Sequence, residues 1–105
     1  MAREKYQTLT EQMFYILMCL KDECCGVDIM KTVSQLTENR VLIGPGTLYS
    51  LLDNFVKEGI IKETKVENRK KSYIITDKGK EMLETEYNRI LKLKKDYESL
   101  IKGVN

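Results

Sequence analysis

Two groups of side chains in this 105-residue sequence have the chemistry to hold a polyanion. Ser50 and Asn54 lie on the polar face of a predicted helix with Asp53 and Lys57, Thr47 and Tyr49 lie at its margins, and their hydroxyls and carboxamide can bond phosphate oxygens and base edges. Asn54 has the geometry to pair with adenine in a bidentate way. Arg69, Lys70 and Lys71 follow closely at the tip and return limb of a predicted hairpin, with Tyr73 two residues on, and cations of this kind neutralise phosphates. Successive strand residues point to opposite faces, so the three cations cannot all meet one partner, and Arg69 and Lys70 are nearest the tip. Asp53 works against a purely electrostatic surface, since a carboxylate repels phosphate unless it accepts from cytosine or pairs with Lys57. The plainer alternatives are an ordinary wet helix face, a solvated hairpin tip, and a core role for Tyr73.

Other chemistry is poorly supplied. Histidine is absent, which removes the commonest general base and the commonest metal ligand. Of the three cysteines, Cys24 and Cys25 are adjacent, a poor arrangement for two ligands on one ion, and Cys19 reads as a small buried apolar residue. Gly44-Pro45-Gly46 has neither the lysine nor the spacing of a phosphate-cradling loop. The sequence therefore predicts no catalytic residue, no metal site, no cofactor and no enzyme. Apolar residues make up 42% and charged residues 32%, the balance of a globular chain, and the formal net charge is only +2. No apolar run reaches the roughly 18 residues of a membrane span and no signal-peptide core follows the start, so a cytoplasmic location is expected.

The elements that must position these residues are marked by their ends. Gly44 as N-cap, Pro45 at the first helical position and Gly59 just past the end bracket one helix. Leu48, Leu51, Leu52, Phe55 and Val56 give it an apolar face. Before it, Thr8 with Glu11 fits a capping box, with Thr10 as the alternative cap, and opens a first helix that is apolar on most sides. A turn over Lys21–Gly26 leads to a second helix from about Val27 to Thr37. Val41-Leu42-Ile43 is expected to form one small strand. Ile60–Val66 and Ser72–Thr76 then read as a hairpin around Glu67-Asn68-Arg69-Lys70. Thr76 caps a long last helix reaching about Lys102, in which Leu83, Ile90, Tyr97 and Val104 recur every seven residues. A rod of roughly 37 Å overhangs a domain of this size, so part of its apolar stripe calls for a partner chain. The prediction is a mainly α chain with a small β-hairpin: a winged helix-turn-helix domain over residues 1–76 and a dimerisation helix over 77–105, with residues 1–7 loose.

Several segments resemble PadR-like transcriptional regulators. They are Leu9-Thr-Glu-Gln-Met-Phe-Tyr-Ile-Leu17, Gly26-Val-Asp-Ile29, Ile43-Gly-Pro-Gly-Thr-Leu-Tyr49, Glu58-Gly-Ile60, Arg69-Lys-Lys-Ser-Tyr73 and Thr76-Asp-Lys-Gly79. The single C-terminal helix resembles the short subgroup of that family. The resemblance implies a homodimeric DNA-binding repressor released by a small molecule or by stress. It places the helix with Thr47, Tyr49 and Ser50 in the major groove, with the wing on the backbone or minor groove; the two-fold symmetry of a homodimer then calls for a pseudo-palindromic operator. Family members commonly carry an aromatic residue where this chain has Cys25, and drug-binding relatives carry a tryptophan that this chain lacks.

For the dimer interface the expected residues are Phe14, Leu17, Leu83, Tyr87, Ile90, Leu93, Tyr97, Leu100 and Ile101. The stripe on the last helix can also wall an effector pocket between two-fold related helices. Two rival functions are a protein-interaction adaptor and a thiol-based sensor acting through Cys24 or Cys25.

Overall fold

The computed structural model describes residues 8–103; the expectations for residues 1–7 and for Val104 lie outside it. Four helices and a small sheet follow in the order α1 (Glu11–Cys19), β1 (Cys24–Cys25), α2 (Gly26–Leu36), α3 (Pro45–Lys57), β2 (Ile61–Glu67), β3 (Lys70–Ile75) and α4 (Asp77–Lys102). The sheet is antiparallel with β3 in the centre, between β1 and β2. This is the winged helix-turn-helix arrangement that the sequence predicts.

Local chemistry explains most of the ends. Thr10, the alternative cap, is the one used: its side chain accepts from the Met13 N–H at 3.2 Å. The expected Thr8–Glu11 box does not form, and Glu11 turns instead to Arg40, 3.4 Å away. At the end of α3, Gly59 takes the left-handed φ of 74°. Its N–H donates to Val56 O at 3.1 Å and that of Ile60 to Phe55 O at 2.9 Å, the paired bonds of a Schellman stop. Thr76 caps α4 by accepting from Gly79 N–H at 3.3 Å, while its hydroxyl donates to Gly59 O at 2.7 Å. One side chain thereby joins the stop of α3 to the start of α4.

The small strand falls elsewhere than predicted. Val41 and Ile43 are buried and Leu42 is exposed, but they form no strand. Cys24 and Cys25 pair with Tyr73 and Ser72 instead, and so take the one free edge of β3. The alternation of residues 41–43 is genuine, but it serves to plug the core with two side chains rather than to build a ladder.

Beneath these elements lies one apolar core in which Ile16, Leu17, Leu20, Ile29, Val33, Leu48, Leu52, Phe55, Ile60 and Ile61 are at most 1% exposed. Val56, assigned to the buried face of α3, is exposed, and Leu51 is half-buried. Gly79 has no room for a side chain: a Cβ there would lie 2.5 Å from Ile75 Cγ1 and closer still to Ile60 O. That contact sets α4 directly on the base of the hairpin. Among the described residues, no helix is long and apolar enough to cross a membrane.

Candidate nucleic-acid interface

On α3 the core-facing residues Leu48, Leu52 and Phe55 turn the opposite side outward. Thr47 and Ser50 are exposed there, and neither hydroxyl has a partner among the described residues. Asn54 is half-buried, and its side chain likewise makes no hydrogen bond among the described residues. Tyr49 is 41% exposed, but its ring is not free, because it lies across Gly26. A Cβ built on Gly26 would meet the Tyr49 hydroxyl oxygen at 2.7 Å and two ring carbons at 2.8 and 2.9 Å. Gly26 opens α2, so the Tyr49 ring of α3 packs directly on the backbone of the first turn of α2.

The wing turns on Asn68 and Arg69, whose φ values of 50° and 66° suit a two-residue type I′ loop between the paired residues Glu67 and Lys70. Residues 62–71, from β2 through the tip to the start of β3, are all exposed. The basic patch is smaller than the sequence suggests. Lys65 lies 3.5 Å from both Glu23 and Glu67, and Lys71 lies 3.5 Å from Glu63. Arg69 and Lys70 have no carboxylate partner among the described residues, so they are the cations left to an external anion.

Tyr73, expected to touch DNA from the wing, is 3% exposed and belongs to the core. Burial, then the nearby carboxylates of Glu63 and Asp53, raises its phenol pKa, so it stays protonated. It still reaches one surface. Cys25, Gly26, Val27, Tyr49, Asp53, Arg69, Lys70, Lys71 and Tyr73 line a cleft of about 320 Å³ where α2, α3 and the wing converge. Of the eight residues predicted to contact DNA, Tyr49, Arg69, Lys70, Lys71 and Tyr73 meet there, whereas Thr47, Ser50 and Asn54 do not line it. Sequence reasoning missed Gly26 and Cys25 as walls of this cleft. Only the start of α2 pointed that way.

The other predicted surface is uneven. Leu17 is fully buried within the chain, so it has no surface to offer a partner: it faces the core rather than the outer side of α1. Phe14 and Leu83 are half-buried at the edge of the core. Tyr87, Ile90, Leu93, Tyr97, Leu100 and Ile101 are all exposed, Leu100 by 84%. Where α4 leaves the domain it is held by Glu86, a residue that nothing in its sequence neighbourhood singles out. Its carboxylate is 3% exposed, accepts the Leu9 N–H at 3.1 Å and Arg89 Nε at 3.1 Å, and is also bonded by Arg89 Nη2. The Arg89 bonds and the Leu9 N–H hold this carboxyl below its ordinary 4.5.

The cysteines are free and half-buried. Cys19 and Cys24 line an apolar cavity of about 480 Å³ with Tyr15, Met18, Lys21, Thr32, Leu36 and Leu83. Burial raises the Cys19 thiol, and burial with nearby Asp28 pushes Cys24 up to about 11. Both are thiols at neutral pH. Among the described residues no three His, Cys, Asp or Glu side chains are grouped to hold a metal.

A helix-turn-helix pair braced by a wing with two unpaired cations is the architecture of a winged-helix DNA-binding protein. The sequence profile of the Transcriptional regulator PadR-like family matches residues 16–85, and the chain belongs to that family of DNA-binding regulators. Its fold is similar to that of a transcriptional regulator from Clostridium thermocellum, Cth-833, with a TM-score of 0.74 and 26% identity over 84% of this chain and 90% of that one. The Thermoplasma acidophilum protein TA0346 superposes with a TM-score of 0.65 at 25% identity, covering 88% of this chain and 90% of that one. H. salinarum RosR shares the fold at 20% identity, with a TM-score of 0.62 over 89% of this chain and 78% of that one. No curated protein sequence matches the chain.

Proposed function

We propose that this regulator is a cytoplasmic homodimeric repressor that binds a pseudo-palindromic operator. The observation that carries the DNA-contact assignment is the convergence of Tyr49 on α3 with the unpaired Arg69 and Lys70 of the wing on one cleft, beside the free hydroxyls of Thr47 and Ser50. Thr47, Ser50 and Asn54 read base edges and adjacent phosphates, while Arg69 and Lys70 neutralise the backbone. The domain of residues 1–76 does the reading, and the helix of residues 77–105 pairs with its copy.

The dimer reading is supported by the exposed apolar stripe of Tyr87, Ile90, Leu93, Tyr97, Leu100 and Ile101, too long a run to leave in water. Pairing two such helices sets the recognition helices about 34 Å apart, one turn of DNA, and matches the protein dyad to the operator dyad. An effector that binds the spread unfit for that spacing releases the operator. The apolar cavity beside Leu83, where α4 begins, is well placed for such a ligand because it borders the helix that sets the spread.

The test is fluorescence anisotropy with DNA from upstream of the protein's own gene, against an unrelated duplex and across a salt series. Selective binding that two protomers share supports the reading. No binding to any duplex at low salt overturns it in favour of an adaptor that docks a protein.

A further inference from the structure

We infer that the cleft between α2, α3 and the wing is a seat for a single backbone phosphate of the operator, held at the N-terminus of α2 between the Tyr49 and Tyr73 hydroxyls. The inference deepens the DNA-binding reading and rests on it. Three observations converge. Cys25, the N-cap of the 11-residue α2, makes no side-chain bond to the first-turn N–H groups, which leaves the positive end of the helix dipole uncapped by a side chain. Cys25, Gly26 and Val27, at that end, line the cleft.

The second observation points to a ligand independently. Tyr73 is 3% exposed, yet its hydroxyl bonds to nothing among the described residues. No wholly buried side-chain polar atom is left unpaired among those residues, so this hydroxyl emerges into the cleft that Tyr73 lines. A buried tyrosine normally finds a partner for its O–H. A phosphate oxygen supplies one.

The third is charge and shape. Arg69, Lys70, Lys71 and Asp53 line the same cleft, and with Lys71 engaged by Glu63 at 3.5 Å the two remaining cations outnumber the one carboxylate. Asp28, the acid in the first turn of α2, is not among the lining residues and instead accepts from Cys25 Sγ at 3.4 Å. Asp53 sets the limit: it leaves room for one anion near the wing and repels a second. At about 320 Å³ the cleft has space for a phosphodiester and its waters.

The experiment is a scan of operator duplexes, each with one neutral methylphosphonate linkage, against the wild type, Tyr73→Phe and Tyr49→Phe. The expected result is one linkage per half-site at which the wild type loses about tenfold and each variant loses much less, because the lost hydroxyl and the lost charge belong to one contact. On the unmodified operator Tyr73→Phe should bind about tenfold more weakly at an unchanged salt slope, since a hydroxyl releases no counterion. Wild-type selectivity for the operator with no effect of either Phe variant overturns the seat alone. Penalties additive at every linkage overturn it too. Failure of the wild type to bind any duplex overturns the seat together with the DNA reading. Inorganic phosphate titrated against the protein without DNA is the remaining arm. A melting rise abolished by Tyr73→Phe, with no linkage effect, assigns the cleft to a free phosphate and overturns the DNA seat.

Discussion

The ring of Tyr49 rests on Gly26 so closely that a methyl group on Gly26 would sit 2.7 Å from the phenol oxygen. Helix α3 is therefore registered against the start of α2 through a residue with no side chain. Gly26→Ala must push the Tyr49 ring outward or move the helix. We expect a stability loss of about 1–3 kcal/mol from overpacking, read by urea denaturation. Operator affinity should fall further than Tyr49→Phe lowers it, because the ring itself is displaced. A variant that binds operator as the wild type does would separate the packing from the function.

The wing offers a cleaner separation of function from stability. Arg69 holds a φ of 66°, a conformation that suits glycine better than arginine. Arg69→Gly should leave the melting temperature unchanged or raise it, while lowering the salt slope of operator binding by about 0.9 for the lost phosphate contact. Lys71→Ala should alter that slope less than Lys70→Ala, because Lys71 already faces Glu63 at 3.5 Å. Equal slopes for the two lysine variants would discard the ranking.

Glu86 ties α4 to the chain entering α1. Removing its charge leaves Arg89 and the Leu9 N–H with a poorer acceptor. Glu86→Gln should cost about 1–3 kcal/mol in chemical denaturation. The pH dependence has a definite sign. The folded carboxyl sits below its ordinary 4.5, so its contribution is present above that value and lost as pH falls through the depressed folded pKa. Wild type and Glu86→Gln should converge in stability on acidification below 4.5.

Cys24 supplies the opposite sign. Its thiol is pushed up to about 11 from 9.0, so the folded state favours the protonated form. The stability it lends is complete below pH 9 and declines between 9 and 11. At neutral pH native Cys24 should alkylate with iodoacetamide more slowly than the same thiol in urea, as mass spectrometry of quenched samples would show. Equal rates would mean that the burial is not protective.

Leu93 and Tyr97 lie far along α4 and are exposed. Leu93→Glu or Tyr97→Glu should dissociate the proposed dimer in analytical ultracentrifugation without loss of helical signal, and should weaken operator binding because two half-sites are no longer linked. A wild-type chain that sediments as a monomer at micromolar concentration would remove the premise.

Much of the fold is legible in the sequence because its signals are local. Gly44-Pro45, Gly59, Thr76 and the Glu67–Lys70 turn act on backbone groups within a few residues, and the structure uses each of them as an end. The apolar spacing of Leu48, Leu52 and Phe55 likewise decides which side of α3 turns outward, and so which polar residues face solvent. Pairing between distant segments was not legible. The choice of Cys24–Cys25 over Val41–Ile43 as the third strand depends on which segment reaches the free edge of β3. The loss of Lys71 from the basic patch depends on Glu63, brought across the sheet, and that of Lys65 on Glu23 from the loop before β1 as well as on Glu67 of its own strand. Gly26 and Gly79 look like ordinary glycines until Tyr49 and Ile60 are laid against them. The sequence by itself determined the helices, the wing and the outward polar face, since those follow from periodicity and caps. Only the tertiary structure decided which cations stay unpaired, that Leu17 and Tyr73 turn inward, and that three elements close around one cleft, because burial and charge pairing are properties of residues far apart in the chain.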